Sequence, residues 1–386
     1  MKNFAFSLPT KVYFGKGQIE HLTELADYGK KALLVYGGGS IKRNGIYDRA
    51  MDLLTSVGVE VTELGGVEPN PRVTTVNRGA QICKDEGIDM VLAIGGGSTI
   101  DSSKAIAAGA KYDGDAWDLV LDNSKVAAAL PVFDVLTLAA TGSETNGTAV
   151  ISNLDVPAKL ALKSPCVYPT ISILDPTYTF TVSRRQTASG SADMMSHTFE
   201  NYFSFEPGAD LQRRFGEGLL RTIIDNAPVA LAHPDDYEAR ANLMWTASHA
   251  ISGIAGAGLA VGWVCHPMEH ELSAYYDVTH GEGLAVLTPV WMEHILSEKT
   301  APYFATYGRN VWGVTAGDDM AAAKEAIART RDFLFGTLGI PSTLRGIGVP
   351  DSSNFAAMAA SAEKRTLGSF VPLDKDAVVS IYEDAL

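Results

Sequence analysis

Two stretches of the chain repeat one pattern and decide its fold: KALLVYGGGS at residues 31–40 and DMVLAIGGGSTID at residues 89–101. Each is a short apolar run ending in three glycines and a serine, the pattern of a buried strand that runs into a tight turn. A stretch with helical spacing over about residues 43–54 follows the first turn, and VEVTEL at 59–64 reads as the next strand. A further helical segment then leads to the second turn. Strand, glycine turn, helix, strand is the order that builds a parallel sheet, because parallel neighbours need a crossover between them. PVFDVLTL at 131–138 and ISILDP at 171–176 supply two more strands.

Past residue 178 the alternation stops. Residues 209–224, 236–254 and 320–338 carry apolar side chains at helical spacing with few turn signals. The chain is therefore expected to divide, without a flexible linker, into an α/β domain at residues 1–180 and an all-helical domain at residues 181–386. A ligand is expected where two such halves meet.

Composition narrows the function classes. With 386 residues, 46% of them hydrophobic, the chain can bury sizeable cores. Its formal charge of −14 repels phosphate backbones and anionic lipid, so neither nucleic acid nor membrane is an expected partner. The three cysteines, Cys83, Cys166 and Cys265, form no CxxC, which fits a reducing compartment and a cytoplasmic location. The N-terminal MKNFAFSLPTKVYFGKG has a short apolar stretch broken by Pro9, and no signal peptide is expected there. The one uncharged stretch long enough to span a bilayer, residues 241–268, contains Asn242, His249, His266 and Pro267, and reads as a buried helix leading into a polar site.

The glycine turns, Gly37, Gly38, Gly39 and Ser40, then Gly95, Gly96, Gly97 and Ser98, let a backbone approach a pyrophosphate and open a helix toward it. Neither fits GxGxxG, and tight packing alone would also explain them. Asp101 and Lys104 fall in the first turns of the second helix. Asp101 reads either as a helix-end acid or as a partner for a carboxamide such as nicotinamide, and Lys104 as a solvated charge or a site residue. A carboxylate after the first strand would bind a ribose diol and repel a 2′-phosphate, but this chain has Gly39 and Ser40 there, with Lys42 and Arg43 close behind. That favours NADP over NAD.

Three of the eight histidines, His266, His270 and His280, fall in the 15-residue window HPMEHELSAYYDVTH. Upstream, Asp193 and His197 share a helix face at i, i+4. A carboxylate and imidazoles so placed make a set of three nitrogens and one oxygen, which suits Fe²⁺ or Zn²⁺. The order is not HExxH, which disfavours a zincin protease. His21, His233, His249 and His294 lack partners at ligand spacing, and Cys265 reads as a small buried residue.

GGGSTID, TLAATGSE at 137–144, the Asp193/His197 pair and HPMEHELSAYYDVTHG together resemble the iron-dependent alcohol dehydrogenase family. YGGGSIKRNGIYD and VEPNPRVTTV resemble its NADPH-dependent butanol dehydrogenases and aldehyde reductases. The resemblance implies a Rossmann-like parallel-sheet domain that binds NADP(H), followed by a helical metal-binding domain, as in dehydroquinate synthase-like architectures. It implies Asp193, His197, His266 and His280 as ligands of Fe²⁺ or Zn²⁺, with His270 a catalytic group near the nicotinamide. It places Gly37 to Ser40 at the adenosine end and Gly95 to Ser98 at the pyrophosphate. Asp101, Thr137, Thr141, Ser143, Lys159 and Tyr178 would line the rest, Asp101 with a catalytic part as well. A homodimer acting on small aldehydes and alcohols is implied.

Rival readings are an NAD-dependent polyol or glycerol dehydrogenase, a cyclase and a non-catalytic nucleotide or metal sensor. A cyclase acting on a phosphorylated substrate would need clustered cations, and residues 190–280 offer only Arg213, Arg214, Arg221 and Arg240. Trp263, Met268 and Phe203 are bulky residues that could limit substrate size.

Overall fold

The computed structural model describes all 386 residues as two compact units, Ser7–Thr181 and Val182–Leu386, the latter joined by Met1–Phe6. The first six residues thus belong with the helical unit rather than with the α/β part, and Lys2 N–H donates to Gly258 O at 2.8 Å.

The α/β unit contains β1 (Lys11–Phe14), β2 (Lys31–Tyr36), β3 (Glu60–Leu64), β4 (Met90–Gly95), β5 (Val132–Leu136), β6 (Thr148–Asn153), β7 (Ala158–Lys163) and β8 (Ile171–Leu174). Its helices are α1 (Ser40–Arg43), α2 (Ile46–Ser56), α3 (Val73–Glu86), α4 (Gly97–Gly109) and α5 (Ala116–Leu121). Six strands form one all-parallel sheet in the order β1-β8-β5-β4-β2-β3, while β6 and β7 form a separate antiparallel pair. The five strands expected from the sequence are present as β2, β3, β4, β5 and β8, and β5 is shorter than its apolar run. The helix expected over 43–54 is α2, which starts only at Ile46 because Gly45 takes a left-handed φ of 78° between it and the short α1.

Alternation along β2 and β4 explains how the sheet is covered. Leu33, Val35 and Val91 face a core shared with Val76 and Cys83 of α3 and Ile106 of α4. Ala32, Leu34, Met90 and Leu92 face the other core, with Ile46, Ala50 and Leu54 of α2. A strand apolar on both faces is what a parallel sheet sandwiched by crossover helices requires.

The chain order also locates a break in direction. From β2 the chain moves outward to β3, then returns to β4 on the other side of β2 and proceeds through β5 to β8. The strand order therefore reverses between β2 and β4, and the crevice beyond the carboxyl ends of two such strands is where open α/β sheets bind ligands.

The second unit is helical throughout: α6 (Arg184–Tyr202), α7 (Asp210–Ala232), α8 (Tyr237–Ile251), α9 (Cys265–Tyr276), α10 (His280–His294), α11 (Ala301–Trp312), α12 (Asp319–Arg331), α13 (Phe355–Thr366) and α14 (Lys375–Ala385). α6 starts at Ser183, whose side chain caps Gln186 N, and is buried from Thr187 to Tyr202. Such a helix, enclosed on all sides, can carry polar groups only where other polar groups meet them. Residues 241–268 form the end of α8, a glycine-rich turn and the start of α9, and no helix is long and apolar enough to cross a membrane.

Candidate active site

At the carboxyl ends of β2 and β4, Tyr36 pairs with Ile94, so the two glycine turns emerge side by side. The turns differ in what surrounds them. A Cβ on Gly95 would lie 2.4 Å from Thr99 Oγ1 and one on Gly97 2.2 Å from Thr141 Oγ1, so close packing within the protein explains both glycines. A Cβ on Gly38 or Gly39 would meet nothing within 4 Å, and Gly39 is left-handed at φ 81°. The first turn is thus held open, while the second is packed tightly.

α4 begins at Gly97 with no side chain capping its N-terminus, and an uncapped helix start of this kind suits an anion. An open glycine turn, an uncapped helix end and a reversal of strand order fit the pyrophosphate of a dinucleotide.

Thr137, Thr141, Ser143 and Asp101 gather beside this turn. Thr137 N–H donates to Gly95 O at 2.9 Å. Asp101 accepts from Ser143 Oγ at 2.5 Å and from Val150 N–H at 2.8 Å, so it braces the loop that carries Ser143 against α4 and β6. Lys104 is not a solvated helix charge. It is fully buried, and its Nζ donates to Ser143 O at 2.6 Å, Ser143 Oγ at 2.8 Å, Asn146 Oδ1 at 3.2 Å and Thr148 O at 2.9 Å. Burial pushes its ammonium down to about 8, against the opposing pull of Asp101, Asp134 and Glu144. Lys159, on β7, donates to Asn70 Oδ1 at 3.0 Å. Tyr178 packs against the apolar core that contains Ile46 and Ile173.

Lys42, expected to greet a 2′-phosphate, is held by other groups. Its Nζ donates to Glu63 Oε2 at 2.9 Å and lies 4.8 and 4.4 Å from the ring centres of Tyr36 and Tyr47. Both tyrosine hydroxyls donate to the same carboxylate, at 2.7 and 2.5 Å. Tyr47, with Lys42 and Tyr36, outweighs burial and holds the Glu63 carboxyl down to about 2.

In the helical unit the metal-ligating types converge on one oxygen. Asp193 Oδ1 lies 3.6 Å from His197 Nε2, 3.7 Å from His266 Nε2 and 3.7 Å from His280 Nε2. These separations exceed a hydrogen bond, and Asp193 Oδ1 and His266 Nε2 are both buried without a hydrogen-bond partner. Ligands about 2.1 Å from one tetrahedral ion stand about 3.4 Å from each other. The unpartnered atoms and the spacing fit a divalent cation: the ligand atoms of Asp193, His266 and His280 lie within 4.8 Å of one another, and His197 adjoins them through Asp193.

The local sequence explains the approach of the helices. A Cβ on Gly281 would lie 2.1 Å from Ser189 O on α6, and one on Gly283 2.8 Å from Glu269 Cγ on α9. Glycine at both positions lets α10 bring His280 in at its first residue.

Burial disfavours ionised Asp193, but His197, His280 and His266 outweigh it and hold the carboxyl well below its usual range. Burial presses His197 down to about 3. Burial lowers His266 too, yet Asp193 and Glu200 overcome it and raise the imidazole to about 9.

His270 is one turn of α9 beyond His266, with its ring centre 6.3 Å from that of His266 and 5.6 Å from that of His280. Trp263 stands edge-on to His266 at 4.6 Å and to His197 at 5.7 Å. Met268 and Phe203 are ordinary buried core.

Two polar residues escaped the sequence reading as site residues, Glu200 and Glu269, while Lys104, left there between a solvated charge and a site residue, is buried. Glu200 lies at i+7 from Asp193 and Glu269 at i+3 from His266, both on the same helical faces as the ligands, and that spacing was the available signal.

Comparison with known proteins agrees with both units. Residues 9–176 match the iron-containing alcohol dehydrogenase domain, and residues 187–386 match the C-terminal domain of the Fe-containing alcohol dehydrogenase family. The chain is 53% identical to NADH-dependent butanol dehydrogenase A of Clostridium acetobutylicum, covering 99% of each. It is 39% identical to the NADPH-dependent aldehyde reductase YqhD of Escherichia coli, over the full length of both. The crystal structure of NADH-dependent butanol dehydrogenase A from Thermotoga maritima superposes with a TM-score of 0.94 at 38% identity, covering 100% of this chain and 99% of that one. Sheet, metal-fitting cluster and relatives concur: the chain belongs to the iron-containing alcohol dehydrogenase family, and is an oxidoreductase of that type.

Proposed function

We propose that the enzyme interconverts small primary aldehydes and alcohols, such as butanal and butanol, by metal-dependent hydride transfer with a nicotinamide dinucleotide. The observation that carries this reading is the convergence of three imidazole nitrogens on Asp193 Oδ1. When bound, a divalent ion there acts as a Lewis acid on a carbonyl oxygen, and the dinucleotide supplies the hydride. Asp193, His197, His266 and His280 hold the ion. Gly37 to Gly39 and the N-terminus of α4 hold the dinucleotide, and Asp101 and Lys104 keep the loop of Thr141 and Ser143 in place beside it. The alkoxide formed by hydride addition needs a proton, and His270, next to the cluster, holds one for it. No nucleophilic side chain is required. In this reading the protein acts in the cytoplasm as a homodimer, with no nucleic-acid partner.

The proposed coenzyme is NADP(H), supported by Gly39, which sets no carboxylate against a 2′-phosphate. A second reading, NAD(H), is favoured by the engagement of Lys42 with Glu63, which removes the expected attraction for that phosphate. It is also favoured by the NADH dependence named for the butanol dehydrogenase of Clostridium acetobutylicum. Initial rates with each reduced coenzyme and butanal decide between the two.

A further inference from the structure

Behind two of the metal-facing imidazoles stand buried carboxylates. On α9, Glu269 is fully buried. Its Oε2 makes a short hydrogen bond with His280 Nδ1, and its Oε1 accepts from the Ser273 hydroxyl. On α6, Glu200 accepts from Val264 N–H at 2.5 Å and from His266 N–H at 2.9 Å, and meets His266 Nδ1 at 3.0 Å. Each carboxylate therefore faces Nδ1, while Nε2 of the same ring faces Asp193.

The chemistry of that arrangement is directional. A carboxylate only accepts, so Nδ1 carries a proton, and Nε2 is the nitrogen left to offer a lone pair to a cation. Burying two carboxylates is costly and would be a poor choice for packing alone. His197 has no such support: its Nδ1 is buried without a partner, and its ring is steadied by stacking on His266 at 4.6 Å.

We infer that Glu200 and Glu269 are positioning residues that set the affinity of the site for its metal, by presenting His266 and His280 as Nε2 ligands. The inference rests on the metal-binding reading above and deepens it. Neither residue touches substrate or ion. Their effect is on ring orientation, tautomer and ligand basicity, and the loss of such a partner typically costs about 10- to 100-fold in metal affinity.

The test is Zn²⁺ affinity of the full-length chain, by competition with a chromophoric chelator, for wild type, E200Q, E269Q and S273A. Dinucleotide binding, which reads the other unit, is followed in parallel by fluorescence. The expected result is one equivalent of Zn²⁺ in the wild type and about 10- to 100-fold weaker binding in each Glu→Gln variant. S273A, which keeps the carboxylate but removes its hydroxyl partner, should fall between wild type and E269Q, and dinucleotide binding should be unchanged in all. Should E269Q fail to fold, E200Q and S273A carry the test.

Unchanged Zn²⁺ affinity in the folded variants overturns the inference and leaves the metal site standing. Two equivalents in wild type falling to one in E269Q also overturns it, since the ligand atoms of Glu269, His270 and His280, all within 4.8 Å of one another, would then hold a second ion. A wild-type chain that binds no Zn²⁺ overturns both the inference and the function proposed above.

Discussion

Asp193 Oδ1 and His266 Nε2 face each other at 3.7 Å, both buried, and neither has a hydrogen-bond partner. A buried acceptor and a buried ring nitrogen left so are costly unless something else satisfies them. Together with His197 and His280, they form a buried cluster whose geometry calls for a cation at its centre. Asp193→Asn should therefore abolish tight metal binding and, with it, turnover. Metal content by elemental analysis after dialysis checks the first, and aldehyde reduction the second; a fully loaded variant would contradict the assignment.

His270→Ala separates proton supply from metal binding. Metal content should be kept, because Asp193 Oδ1 gathers the other three histidines without it. Turnover should fall by about 100-fold or more, the usual worth of a positioned general acid. The pH–rate profile should lose one limb. An identical profile at full rate removes His270 from proton transfer.

Gly281→Ala tests the approach of α10 to α6. The added Cβ would lie 2.1 Å from Ser189 O, a backbone atom that cannot swing aside, so the helix carrying His280 must shift. A cost of about 1–3 kcal/mol in stability is expected, together with weakened metal binding. Thermal unfolding with and without Zn²⁺ reads both, and the metal-induced rise in Tm should shrink relative to wild type.

Lys104 makes a pH prediction of definite sign. Its folded value, about 8, lies below the ordinary 10.5, so across that window the unfolded chain binds a proton that the folded chain does not. Stability from this group therefore rises with pH between about 8 and 10.5, and the burial cost is fully present below 8. Lys104→Met should lack that rise, seen by comparing denaturant midpoints with wild type across the window. It should also weaken dinucleotide binding, since Ser143 and Thr148 lose their common donor.

Glu63→Gln probes the coenzyme. Removing the carboxylate frees Lys42 from its strongest partner at the carboxyl end of β2. The KM for NADPH should fall relative to that for NADH, at little cost to kcat. An unchanged ratio would place Lys42 outside the coenzyme's reach.

The alternation that revealed the sheet was legible because β2 and β4 are apolar on both faces and end in glycine. β1 and the β6–β7 pair were not: β1 has only four residues, and β6 and β7, though as long as β2 and β4, are half-exposed, with polar or charged residues mixed into the runs TAVISN and AKLALK. A period of two over so few residues carries little signal. The candidate cluster of Asp193 and histidines was legible because i, i+4 spacing within α6 and a run of histidines are local facts. Glu200 and Glu269 were hidden, and Lys104 was left between two readings, because a charged residue in a helix ordinarily faces water, and only the packing of distant helices and loops shows these three buried. The pairing of Lys42 with Glu63 joins a residue of α1 to one of β3, a contact that spacing along the chain does not announce.

The most direct test of the whole account is the initial rate of NADPH and of NADH oxidation with butanal, for enzyme reconstituted with Fe²⁺ or Zn²⁺ and for a chelator-stripped control. The account predicts turnover that vanishes on stripping and returns with metal, with the coenzyme ratio choosing between the Gly39 and Glu63 readings. Full activity in the stripped enzyme, or no oxidation of either coenzyme by the reconstituted one, would contradict it.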